Sequence, residues 1–75
     1  LWSTAMIGDE IRRARQKVGL SQEKLAFAAG IHRTYVSLLE RNVKSPTVAT
    51  LFRVCRALKV RPSRLIARAE RSARR

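Results

Sequence analysis

Apolar residues recur along this chain at spacings of three and four, the period of helices buried along one side. Five helices fit the pattern. The first runs from about Ile7 to Lys17, with Ile7, Ile11, Ala14 and Val18 on its inner face and Gly19 as its stop. Asp9 and Glu10 stand in its first turn and Arg15 and Lys17 in its last, as the helix dipole favours. The second is Ser21 to Ala28, with Ser21 as N-cap; Leu25 and Ala28 share a face, with Phe27 and Ala29 nearby. The third, His32 to Arg41, turns Val36 and Leu39 inward and carries Tyr35 and Leu38 at its margins. Asn42 is suited to end it in a left-handed conformation. The fourth, Thr47 to Leu58, places Val48, Leu51, Phe52, Cys55 and Leu58 on one stripe, and Ser45-Pro46-Thr47 supplies its cap and first turn. Pro62 opens the fifth, whose apolar side is Leu65, Ile66 and Ala69 while Arg64, Arg68, Arg71 and Arg75 face elsewhere.

The second and third helices are joined by Ala29-Gly30-Ile31, a turn too tight for ordinary helix packing. Gly30 is expected at positive φ, in a place where a side chain would crowd the crossing helix. The third helix leaves Arg33, Thr34 and Ser37 outward. A helix-turn-helix whose outer face is small, polar and cationic suits a DNA major groove. Arg33 and Thr34, in the first turn, are the expected base readers, with Ser37 one turn further along. Arginine donates two bonds to guanine O6 and N7; threonine bonds a base edge or rests its methyl on thymine. The alternative for Arg33 is a phosphate clamp.

Charge strengthens that reading. The net charge is +12 in 75 residues, which suits a polyanionic partner. From residue 51 onward nine Lys or Arg stand against one acid, Glu70, so most of the charge lies beyond the helix-turn-helix. The length suits one small domain over residues 6–69, preceded by a short extension or remnant at 1–5 and followed by a basic tail at 70–75. Met6 is a candidate start, and Trp2 is read as part of a disordered end rather than as an arm packed on the domain. A single cysteine excludes an internal disulfide framework and fits a reducing cytoplasm; Cys55 is read as a small core residue, with a redox switch as the alternative. No apolar run approaches the ~20 residues needed to span a bilayer, and the first residues lack the features of a signal peptide. The expectation is a cytoplasmic domain with neither membrane nor small-molecule partner. No catalytic residue, metal site or cofactor is expected: the sequence offers no nucleophile–base pair and no glycine-rich phosphate loop. His32 is the only histidine, too few ligands for zinc with Cys55 on another face.

The joint spacing of Ile11 and Arg15, Leu20-Ser21-Gln22, Leu25-Ala26, Gly30, Glu40-Arg41 and Pro46, completed by Leu51, Leu58 and Leu65, resembles the phage-repressor/Cro-type (XRE) helix-turn-helix family over about residues 6 to 67. Within it, His-Arg-Thr-Tyr-Val-Ser followed by Leu-Glu-Arg is similar to controller proteins of restriction–modification systems. The resemblance implies an all-α, compact five-helix lambda-repressor-like domain and a sequence-specific regulator of transcription on double-stranded DNA. It implies a phosphate bond from the Gln22 amide, which also braces the recognition helix, and a structural ion pair between Arg15 and Glu40. His32, Tyr35, Lys44 and Arg53 are further phosphate candidates, with pure packing as the alternative for Tyr35. The family more often has a small hydroxyl residue where Arg61 precedes Pro62.

One recognition helix reads only a few base pairs, so a homodimer on a palindrome is expected, its half-sites roughly one helical turn apart. Val60, Leu65, Ile66 and Ala69 are the candidate isologous interface, with capping of the core as the alternative. Arginines crowding that surface repel, which favours assembly on the operator. Two rival functions remain open from sequence: an antitoxin or adaptor module that recognises protein, and a nonspecific nucleic-acid-binding protein.

Overall fold

The computed structural model describes residues 6–73, and Trp2 and the end of the basic tail lie outside that range. It contains five helices: α1 Met6–Lys17, α2 Gln22–Ala29, α3 Arg33–Glu40, α4 Val48–Leu58 and α5 Pro62–Ala73. α1 packs on α3 and on α5, and α2 packs on α3 and α4. Ile11, Leu25, Val36, Leu39, Val54, Cys55 and Leu58 are fully buried where these helices meet. Each contributes transfer energy of about 1.5–3 kcal/mol for the larger aliphatics, set against the entropy of ordering the chain.

The boundaries follow from capping. Ser21 and Thr47 stand in extended conformation just outside α2 and α4, and their hydroxyls accept from Lys24 N and Thr50 N. His32 and Arg41 likewise flank α3 rather than belonging to it. Asn42 adopts φ 61 after α3, and Lys59 ends α4 at φ 58. α5 begins at Pro62, as expected, and runs to Ala73, so the first residues of the expected tail are helical.

Two helices are rotated from the expected phase. On α2 the buried residues are Leu25, Ala26 and Ala29, while Ala28 is exposed and Phe27 is 89% exposed. With alanine at 26, 28 and 29, an eight-residue helix leaves its own rotation undetermined, and the tertiary fit decides. On α4 the stripe is Thr50, Leu51, Val54, Cys55 and Leu58; Val48 and Phe52 face solvent. Val18 is also half-exposed, because α1 ends at Lys17 and the chain turns there.

Candidate nucleic-acid interface

The recognition surface is assembled by a turn and two polar braces. Gly30 ends α2 at φ 70, and its N–H returns to the carbonyls of Ala26 and Phe27. The expected crowding is absent: a Cβ built on Gly30 would meet nothing within 4 Å. The requirement is therefore for the left-handed backbone alone. The chain then enters α3 through His32, whose side chain is exposed and makes no capping bond. Arg33 and Thr34 are exposed in the first turn of α3, and Ser37 is half-buried, its hydroxyl accepting from Arg41 Nε at 3.3 Å. Tyr35 is half-buried, while Val36 and Leu39 are almost completely covered.

The first brace closes on Glu40 at the end of α3. Arg15 Nε donates to Glu40 Oε2 at 2.6 Å and Arg15 Nη2 to Glu40 Oε1 at 2.9 Å, a two-pronged pair with side chains 13% and 2% exposed. Arg15 Nη1 donates to the Leu20 carbonyl at 2.9 Å, tying down the entry to α2. The hydrogen bond to Glu40 holds the Arg15 pKa above its usual value, against the opposing effect of burial. Gln22 Nε2 donates to the same Glu40 Oε1 at 3.2 Å. A primary amide nitrogen carries two hydrogens, so one remains for an outside acceptor at the start of α2.

The second brace had no sequence signal beyond Asn42 itself. Asn42 Oδ1 accepts from Gly8 N at 2.9 Å, satisfying an amide in the first turn of α1 that has no partner within its own helix. Asn42 Nδ2 donates to Asp9 Oδ1 at 3.1 Å. A Cβ on Gly8 would overlap both the Leu39 carbonyl oxygen and the Asn42 side chain. The left-handed residue that ends α3 thus caps α1 across the fold, and a glycine permits the approach.

Lys44, in the loop after α3, and Arg53, on α4, are exposed cations. Two residues absent from the expected site join it: Arg12 and Arg41 line a small cleft with Arg15, Gln22, Ser37 and Glu40. A signal existed for Arg12, which shares the Gly8 and Arg15 side of α1 at helical spacing. Cys55 is completely buried, and burial pushes its thiol up to about 11, opposite to what a reactive thiolate needs.

The expected dimer surface is corrected in large part. Leu65 and Ala69 are 3% and 5% exposed, sealed in the chain's own core by α1, and Val60 packs against that core. Ile66 alone of the four is well exposed. The physical reason is the partnership of α5 with α1, which takes up Leu65 and Ala69 and leaves Ile66 at the edge of the apolar side.

Comparison with known proteins agrees with this geometry. A family model described as Helix-turn-helix matches residues 11–65. The control protein C.BamHI of Bacillus amyloliquefaciens is 37% identical over 62 residues, 81% of this chain and 76% of that protein. The restriction-modification controller protein C.AhdI of Aeromonas hydrophila superposes with a TM-score of 0.79 at 34% identity, covering 81% of this chain and 92% of the other. SinR, the master regulator for biofilm formation solved in complex with DNA, gives a TM-score of 0.77 at 35% identity, over 81% and 98% of the respective chains.

Proposed function

This chain belongs to the helix-turn-helix family, and from that premise we propose that it is a cytoplasmic, sequence-specific regulator of transcription, of the restriction–modification controller type, that reads a palindromic operator as a homodimer. It binds double-stranded DNA and is not an enzyme, as its regulator relatives are not. The observation that carries the reading is the outward face of α3: exposed Arg33 and Thr34, then Ser37, on a helix whose far end is fixed by a buried ion pair. A nonspecific DNA coat needs cations but has no use for an oriented row of short polar side chains on a rigidly braced helix.

In this arrangement Arg33 donates to a guanine edge, Thr34 to the neighbouring base, and the second amide hydrogen of Gln22 to a phosphate. His32, Tyr35, Lys44 and Arg53 supply the backbone contacts that set register. Two copies form on the operator, where phosphates offset the charge that opposes association in solution. Selection of the chain against a random duplex pool at near-physiological salt should enrich a palindrome. Arg33→Ala should then relax preference at one or two base pairs per half-site, about 1–3 kcal/mol of discrimination. A pool retained without enrichment refutes the proposal. Uniformly weaker binding by the variant, with preference unchanged, makes Arg33 a phosphate contact instead.

A further inference from the structure

One concavity stands apart from the recognition helix. It is an open groove of about 750 Å³ where the end of α1, the α4–α5 link and the start of α5 converge. Its floor is aliphatic: Ala14, Val18, Leu58 and Val60. Its rim is cationic: Lys17, Lys59, Arg61, Arg64 and Arg68. No carboxylate lines it. Of the chain's five acids, Asp9 is held by Asn42 and Glu40 by Arg15, both on the α3 side. Glu10 pairs with Arg13 and shares an adjoining cleft with Arg68, and none of Glu10, Glu23 and Glu70 lines the groove. The charge of this groove is therefore not balanced from within.

Its position separates it from DNA reading. Gly8 and Arg15, two turns apart on α1, face α3; Ala14 and Lys17 lie on the other side of the same helix, with Glu10. α5, which forms one wall, packs on α1 and α4. A ligand in the groove and a duplex on α3 can thus be held at once.

We infer that this groove is a docking site for a protein partner, an acidic segment that carries aliphatic residues along one side. The floor decides the class of ligand. A phosphate backbone would use the five cations but gain nothing from Val18 and Val60, the floor residues that still reach water. Nor does the lining include an aromatic ring on which a base would stack or an amide that would read one; its sole neutral polar side chain is Ser63. An acidic amphipathic segment uses both parts: its carboxylates meet the rim and its aliphatic residues cover the half-exposed Val18 and the half-buried Val60. A second copy of the chain would bring net charge +12 against the same rim. Steering by the rim would speed encounter, while the floor would slow release.

The probe is a fluorescent helical peptide of glutamate and leucine, about twelve residues and so roughly 18 Å long, the length of α5. Its control has the same composition scrambled to destroy the apolar side. Both are titrated by anisotropy into the intact chain saturated with its selected duplex. The patterned peptide should bind about tenfold or more tightly than the scrambled one. Val18→Ser should erase that margin, and Arg61→Glu with Arg64→Glu should weaken both peptides while the enriched DNA sequence stays the same. These side chains are surface groups, and a thermal melt verifies folding of each variant. Equal binding of the two peptides would overturn the proposal by reducing the groove to bulk charge. Displacement of the peptide by excess duplex would overturn it in favour of a second nucleic-acid surface. Self-association in sedimentation that Val18→Ser abolishes would overturn it in favour of a second copy.

Discussion

α3 and α5 are both short amphipathic helices laid against α1, yet they are fastened by different physics. α5 is held through Leu65 and Ala69, a contact that excludes water but sets orientation only loosely. α3 buries Val36 and Leu39 and is in addition pinned by directional bonds: Arg15 and Gln22 on Glu40, and Asn42 on Gly8 and Asp9. Non-directional burial suffices to complete a core. A helix that must present Arg33 and Thr34 to base edges needs its pitch fixed to a fraction of an ångström, and hydrogen bonds with narrow angular tolerance supply that.

The largest break in this contrast comes from Glu40→Ala. It strands the Arg15 guanidinium in a site where only 13% of the side chain reaches water. Losing one partner of a buried pair costs about 3–5 kcal/mol, so a urea or thermal melt should show a large loss, with the melting temperature down by well over 10 °C at about 4–8 °C per kcal/mol. An unchanged melting temperature would mean that the pair contributes orientation alone.

A matched pair of variants sharpens the contrast. Leu65→Ala removes burial from α5 and should cost about 2–5 kcal/mol. Folded at low temperature, it should select the same DNA sequence as the parent, since α5 does not set the pitch of α3. Gly8→Ala should cost less, about 1–3 kcal/mol, by pushing α1 away from the Leu39 carbonyl and Asn42. It should nevertheless blur the selected sequence, because the displaced contact is a brace of the reading helix. Should Leu65→Ala blur the selection as much as Gly8→Ala, the division between fastening and aiming fails.

The sequence makes the local chemistry of this fold legible and the cross-fold contacts largely not. Ser21 as a cap, Gly30 and Asn42 as left-handed residues, and the outward face of α3 each follow from a residue and its near neighbours, while the cap of α4 is legible only as Ser45-Pro46-Thr47 and falls on Thr47. The rotation of α2 does not, because alanines at 26, 28 and 29 weight several phases alike. On α4, Val48 and Phe52 extend an apolar run past the width of the core, so the stripe reads wider than the buried face. The same cause misplaced Leu65 and Ala69 at a surface: an apolar side is visible in sequence, but its partner is not. The Gly8–Asn42 contact spans 34 positions, and neither residue type announces the other.

The smallest expected effect tests what the tight turn requires. Two accounts of Gly30 are possible in principle: space for the crossing helix, or access to positive φ. They differ in consequence. A Cβ forced into packed atoms costs about 1–3 kcal/mol and distorts the α2–α3 angle, whereas left-handed backbone in an L-residue costs roughly 1–2 kcal/mol and leaves that angle alone. Gly30 has φ 70 and open space around the missing Cβ, and Asn42 and Lys59 already hold the same conformation without glycine. Gly30→Ala should therefore lose only about 1 kcal/mol, and Gly30→Asn less, because asparagine tolerates this region better. Both should select the parent's DNA sequence, since nothing about the angle of α3 changes. A loss as large as that of Gly8→Ala, or a blurred selection, would show that the turn aims α3 as the braces do, and would move part of the aiming from side-chain bonds into the backbone.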